Sequence, residues 1–454
     1  MKLKNFSQLL LLAFVLMCVA PSCVKEGPVG PAGVNGTDGK DGANGKDGVN
    51  GVNGGSDCKL CHNPASVDLI ATQFQLSKHK FGIAAFEEAG ILGCTPCHAQ
   101  EAFKYVVANN IPSTFKLNET TGRYSNQYAT IASAAYGEIG CRTCHSAIHT
   151  TYASADMAFT TVAPVSMSMW GGAADKTIDL KADGGVSNLC VKCHQPRPQT
   201  NLQTGNVQNY TDIAANPTTV AYNAEDDKAK TNIVRPSYRM HIHYGSVGAI
   251  YAGMGGVEFG SGYTNSAHTA LASCTDCHMG EVNGKAGGHT FVAKGNFNGC
   301  NVTGCHSATP ISGTTASKYW KETRDEVKGL LDQLAAKLSV NGVDMLNRNP
   351  DTEANLWVTQ TTNKYDGYMN VYDPINNPSF AANNPNGTFQ NPAPGASWTA
   401  DQKALNATFP KLSLTNAQYG ACLNFQLCLR EYSLGIHNTA YTKTLLKNSL
   451  AVLQ

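Results

Sequence analysis

Residues 274–306 read CTDCHMGEVNGKAGGHTFVAKGNFNGCNVTGCH. Two thiol pairs, Cys274 with Cys277 and Cys300 with Cys305, are each followed directly by a histidine, His278 and His306. A further histidine, His289, stands between them. Two residues separate the first pair of cysteines and four separate the second. The shorter pattern, C-x-x-C-H, occurs four more times upstream: Cys58, Cys61 and His62 (CKLCH), Cys94, Cys97 and His98 (CTPCH), Cys141, Cys144 and His145 (CRTCH), and Cys190, Cys193 and His194 (CVKCH).

One C-x-x-C pair serves equally well as a redox disulfide or as half of a zinc site. Neither chemistry needs a histidine after the second cysteine in every copy. Residue frequencies alone give about 0.02 C-x-x-C-H motifs in a chain of this size, so five copies require a common explanation. Covalent haem attachment supplies it, because two thiols add across the vinyl groups and the adjacent histidine is held under the iron as proximal ligand. CNVTGCH keeps the junction of Cys305 with His306 and lengthens only the gap. Four residues can loop out while both sulfurs reach the same vinyl positions. The expectation is six covalently bound haem c groups, with His62, His98, His145, His194, His278 and His306 as proximal ligands.

The rest of the 454-residue chain fits an exported protein. Its formal net charge of +1 argues against a nucleic-acid partner. Lys2 and Lys4 precede the apolar run LLLLAFVLMCVA at 9–20, which is too short to span a bilayer and suits a signal peptide. It ends in Ala20-Pro21-Ser22-Cys23, which resembles the lipobox of bacterial lipoproteins, so Cys23 is expected to carry lipid. From Gly27 to Gly54 glycine recurs at every third position, the signature of a collagen triple helix. Proline occurs there only at 28 and 31, so a trimerising stalk and an extended tether both remain open. The expected organisation is a signal peptide at 1–22, a lipidated stalk at 23–55, a four-haem region at 56–200, a two-haem region at 201–310 and a helical region at 311–454.

Beyond Cys18, Cys23 and the twelve haem cysteines, only Cys422 and Cys428 remain. Six residues apart on a helix they cannot bridge, so a disulfide would need irregular backbone; two buried free thiols is the other reading. Seven histidines are left for the distal side of six irons: His79, His149, His241, His243, His268, His289 and His437. His149 lies four residues after His145, a spacing from which a second histidine reaches a neighbouring haem. His241 and His243 stand only two residues apart, so one of them can ligate and the other can be spare. Two imidazoles on every iron would give low potentials, since it is methionine ligation that raises them. The predicted fold is a multihaem cytochrome c, mostly irregular with α-helices around a haem core and little β. Helices are predicted at 321–338 and 441–453 from their apolar stripes. The polar stretches 201–236 and 347–410 are expected to be surface loops.

The second half also resembles a known group, the multihaem c-type cytochromes related to cytochrome c nitrite reductase and hydroxylamine oxidoreductase. The resemblance covers about the last 220 residues and rests on HYGSVGAIYAG (243–253), NSAHT (265–269), CTDCHM, GGHTF (287–291), CNVTGCH and NFQLCLREYSLGIHNTAYTKTLL (424–446). It implies that His243, His268, His289 and His437 are distal ligands, which makes His241 the spare; His79 and His149 complete the set. The catalytic motif of such nitrite reductases ends in lysine, and no CxxCK occurs in this chain. Nothing singles out, among eighteen tyrosines, one crosslinked to haem as in hydroxylamine oxidoreductases. The expected activity is therefore electron transfer without substrate chemistry, by an outer-membrane or cell-surface lipoprotein of a Gram-negative bacterium. Its partners would be other envelope cytochromes or extracellular acceptors. Two rivals stay open, a reductase or oxidase of a nitrogen or sulfur compound and a subunit of a polymeric cytochrome filament; a homotrimer follows from the stalk reading.

Overall fold

In this computed structural model the described residues are 64–82, 88–91, 93–111, 115–118, 123–126, 137–151, 154–171, 174–199, 208–222, 236, 242–312, 320–348, 365–373, 399–401, 404 and 411–454. The signal, Cys23, the Gly-x-y stretch, Cys58, Cys61, His62 and His241 lie outside them. The chain divides into Met1–Asn53 and Gly54–Gln454, so the regions expected at 56–200, 201–310 and 311–454 fall wholly within one unit.

Three long helices build the core of that unit: α1 (Glu322–Lys337), α2 (Asn416–Arg430) and α3 (Thr439–Val452). The predicted stripe of α1 faces inward, with Val327, Leu331, Leu334 and Leu338 all fully buried. On α3, Leu445 and Leu446 do the same. Helix α2 was not expected. Its apolar residues form no stripe because nearly every residue from Asn416 to Arg430 is buried, and a helix enclosed on all sides has no polar face to give it a period. Thr415 starts it, accepting from the Gln418 N–H at 3.2 Å while the Gln418 side chain accepts from the Thr415 N–H at 2.9 Å.

Strands are short and make five antiparallel two-stranded sheets among the described residues. Two of them correct the loop expectations. Within 201–236, Tyr210–Ala215 is helical and buries Tyr210 and Ile213, and Val220–Tyr222 pairs with Leu414–Thr415. Within 347–410, Tyr365–Met369 pairs with Leu346–Arg348. Each segment is too short, and too rich in polar residues around it, to declare a period; it is ordered by what it packs on.

Two buried asparagines tie the remote segments together. The Asn424 side chain accepts from the Val257 N–H at 2.7 Å and donates to the Val257 carbonyl at 2.8 Å and to Ser449 Oγ at 2.9 Å. Asn438 starts α3, accepts from the Ser266 N–H at 3.0 Å and donates to Asn265 Oδ1 at 2.8 Å. Asn424→Ala would strand the buried Val257 N–H, at about 1–3 kcal/mol, and remove the bonds to the Val257 carbonyl and Ser449 Oγ, each about 0.5–1.5 kcal/mol; the carbonyl keeps the Phe259 N–H. Chemical denaturation of the holoprotein is expected to show a loss of roughly 2–5 kcal/mol. Cys422 and Cys428 are free and buried on α2.

Candidate functional site

The Cys/His motifs are closed turns. In three of them the histidine N–H donates to the carbonyl of the first cysteine: His98 to Cys94 at 3.2 Å, His145 to Cys141 at 2.9 Å and His194 to Cys190 at 3.0 Å. The long motif closes in the same way, His306 donating to Cys300 at 3.0 Å. Its two additional residues are accommodated inside the loop, and the relation between first cysteine and histidine is kept. Residues beside the cysteines cap the turns. Ser273 and Asp276 bond reciprocally around CTDCH, and the Gly140 N–H donates to Thr143 Oγ1 at 3.1 Å in CRTCH.

The fold brings candidate proximal and distal histidines together in pairs. Ring centroids lie 6.4 Å apart for His98 and His243, 6.1 Å for His194 and His79, 6.2 Å for His278 and His437, and 6.2 Å for His306 and His268. An imidazole nitrogen binds a metal at about 2.0 Å, so two imidazoles on opposite sides of one ion place their centroids about 6.3 Å apart. All four pairs have that spacing. His289 lies close enough to His145 for their charges to interact. His149 is exposed, and the motif without a described partner, that of His62, lies outside the described residues.

Hydrogen bonds at Nδ1 hold several rings so that Nε2 is left for a ligand role. His145 meets the Met157 carbonyl at 2.8 Å, His194 that of Gly245 at 3.1 Å and His278 that of Phe291 at 2.9 Å. His437 differs, with its Nδ1 2.6 Å from Oε2 of buried Glu431. Burial lowers the pKa of His194 and His278, which favours the neutral form that binds metals. It lowers the His79 pKa to about 4, helped by His194 and His278. It lowers that of His243 to about 3, with help from Arg197, His98 and Arg430. At His437 burial acts the same way, but the Glu431 carboxylate outweighs it and the pKa rises. His243 (φ 96°) and His149 (φ 64°) both sit in the left-handed region, where a non-glycine residue is held only by its surroundings.

Successive sites adjoin one another. The thiols of Cys97 and Cys193, of Cys190 and Cys274, and of Cys277 and Cys300 are hydrogen-bond neighbours. Cys144 lies within electrostatic range of Cys190 and Cys193. The resulting order of motifs is Cys94, Cys190, Cys274, Cys300, with the Cys141 motif joining at Cys190. Gly299 permits the last contact, since a Cβ there would lie 1.8 Å from the Asp276 carbonyl oxygen. Phe291 links three sites: its ring centroid is 4.8 Å from that of His79 and 5.8 Å from that of His289, and its carbonyl faces His278. It follows Gly287 and Gly288, both at positive φ, where a Cβ on Gly288 would meet Gln73 Oε1 at 2.3 Å. That oxygen instead accepts from the His289 N–H at 2.9 Å.

Phe291, Glu431, Arg197 and Arg430 were not singled out from the sequence. Phe291 and Glu431 lie within GGHTF and REYSLGIHN, but neither has a spacing that reveals its partner. Among the described residues no three His, Cys, Asp or Glu side chains form a metal cage. No helix of the described residues is long and apolar enough to cross a membrane. No protein-family model, curated protein or solved structure matches the chain.

Proposed function

We propose that this chain is a hexahaem c-type cytochrome that relays electrons at the cell envelope or surface. The observation that carries the reading is the set of four imidazole pairs at 6.1–6.4 Å, each joining a histidine of a Cys/His motif to one remote in sequence. Haem c bound there supplies reversible one-electron exchange, at low potential when both axial ligands are imidazole. The paired cysteines would hold the group covalently, and the adjacent histidine would be its first ligand. The remote histidine of each pair would be the second ligand, and a site so held would offer no position for a substrate. Contacts between successive motifs place one site beside the next, the arrangement a relay needs. The lipobox at Cys23 and the Gly-x-y run support an anchored, displayed protein that meets other envelope cytochromes or extracellular acceptors.

Intact-mass measurement of the mature protein tests this reading, with six haem additions expected; five would remove CNVTGCH or CKLCH from the set. Electron paramagnetic resonance of the oxidised protein should show low-spin ferric iron throughout. A stoichiometric high-spin signal would mean an open coordination position and would replace the carrier by an enzyme.

A further inference from the structure

We infer that Glu431 is a positioning residue that makes the site of His278 and His437 the lowest in reduction potential along the relay, through its hydrogen bond to His437. This rests on the reading of the histidine pairs as axial ligands.

Glu431 is 1 % exposed. Its carboxylate is the centre of the loop between α2 and α3, accepting from Ser433 Oγ at 2.7 and 2.9 Å, from the Gly435 N–H at 3.1 Å and from His437 Nδ1 at 2.6 Å. The loop can curl around it because Tyr432, Leu434 and Gly435 all take positive φ. The Ser433 hydroxyl also accepts from the His437 N–H at 3.0 Å, so the ring is fixed at both its backbone and its Nδ1. The described Nδ1 contacts of His145, His194 and His278 go to neutral carbonyls. A carboxylate draws the Nδ1 proton more strongly, and the imidazole becomes a more electron-rich ligand. Together with the buried negative charge, that favours ferric over ferrous iron.

The charges nearby accentuate the contrast. Arg430, one residue before, is buried and lays its guanidinium 4.0 Å over the Tyr244 ring, whose centroid is 6.0 Å from that of His243. A cation beside the site of His98 and His243 acts in the opposite direction. Arg324 is a cation within electrostatic range of Glu431 itself and offsets part of its charge.

The same site can be recognised spectroscopically. The rings of His278 and His437 are only 20° apart in plane, whereas the other three pairs are at 65–79°. Near-parallel imidazoles donate into the same iron d orbital and split the pair strongly, giving a rhombic low-spin signal. Near-perpendicular rings leave those orbitals almost degenerate and give a single large g value. In a potentiometric titration of the wild-type holoprotein followed by paramagnetic resonance, a rhombic signal should be the last to disappear on reduction. A large-g signal persisting below every rhombic one would overturn the inference. In Glu431→Gln carrying all six haems by mass, the midpoint of that rhombic signal should shift upward while the rest stay in place. An unmoved midpoint with six haems present sinks the role of Glu431 and leaves the relay standing; absence of haem from the wild-type protein sinks the relay itself.

Discussion

Replacing Cys190 and Cys193 together by alanine is expected to leave five haem groups and to split electron exchange along the chain into separate populations. This motif is the junction of the site: Cys193 neighbours Cys97, Cys190 neighbours Cys274, and Cys144 lies near both. On the histidine side, His194 is within electrostatic range of His437, and His243 is within range of His194. Without it, the His98–His243 site is cut off from those of His278–His437 and His306–His268. Tunnelling falls exponentially with distance, so the loss of one step slows exchange by orders of magnitude. Stopped-flow reduction should change from one dominant phase to at least two. Cys300→Ala with Cys305→Ala is the control, because it also removes one haem but from the end of the order; its remaining five should reduce together. Equal kinetics in the two double variants would contradict the order of sites given by the thiol contacts.

A chain made without haem attachment should lose all amide protection over 64–160 and retain it over α2 and α3. The apolar residues of the two parts explain the difference. Among the described residues the first part contains one small buried cluster of its own, Ala89, Ala99 and Ala102 with Val106 against it. Burying alanine methyls contributes about 0.8 kcal/mol per carbon, while ordering each residue costs about 1.5 kcal/mol. Leu76 and Phe81 flank His79 and are 54 % and 66 % exposed, surface that a haem edge would cover. The second part has a continuous core that includes Val327, Leu331, Phe425, Leu427, Leu445 and Leu446. Hydrogen exchange on protein produced with and without the attachment machinery would show the contrast, and uniform protection in the unattached chain would refute it.

What could be read from the sequence follows from how locally each feature is specified. The Cys/His motifs were legible because their residues are adjacent in sequence, as the proposed covalent attachment requires. Helices α1 and α3 were legible because one face is buried and the other is wet. Helix α2 was not, because Phe425, Cys428 and Asn424 point in different directions and are all buried. The seven distal candidates could be counted, but not matched to motifs. His79 meets His194, and His437 meets His278, through tertiary packing that no local spacing records. Glu431 was hidden for the same reason, since a glutamate six residues before a histidine has no meaning until the loop between them curls.

The two cysteines of α2 carry a consequence for how the chain survives oxidation. Six residues of helix separate them by about 9 Å along the axis and turn them to different faces, too far for a disulfide. Burial raises the pKa of both thiols, so little reactive thiolate is available. Helices form in about a microsecond, whereas disulfides take seconds or longer. If the chain is exported and haem is attached as proposed, packing of α2 into the core withdraws its two thiols from exchange with the motif cysteines. Their protection is conformational, and it lasts as long as the helix stays buried.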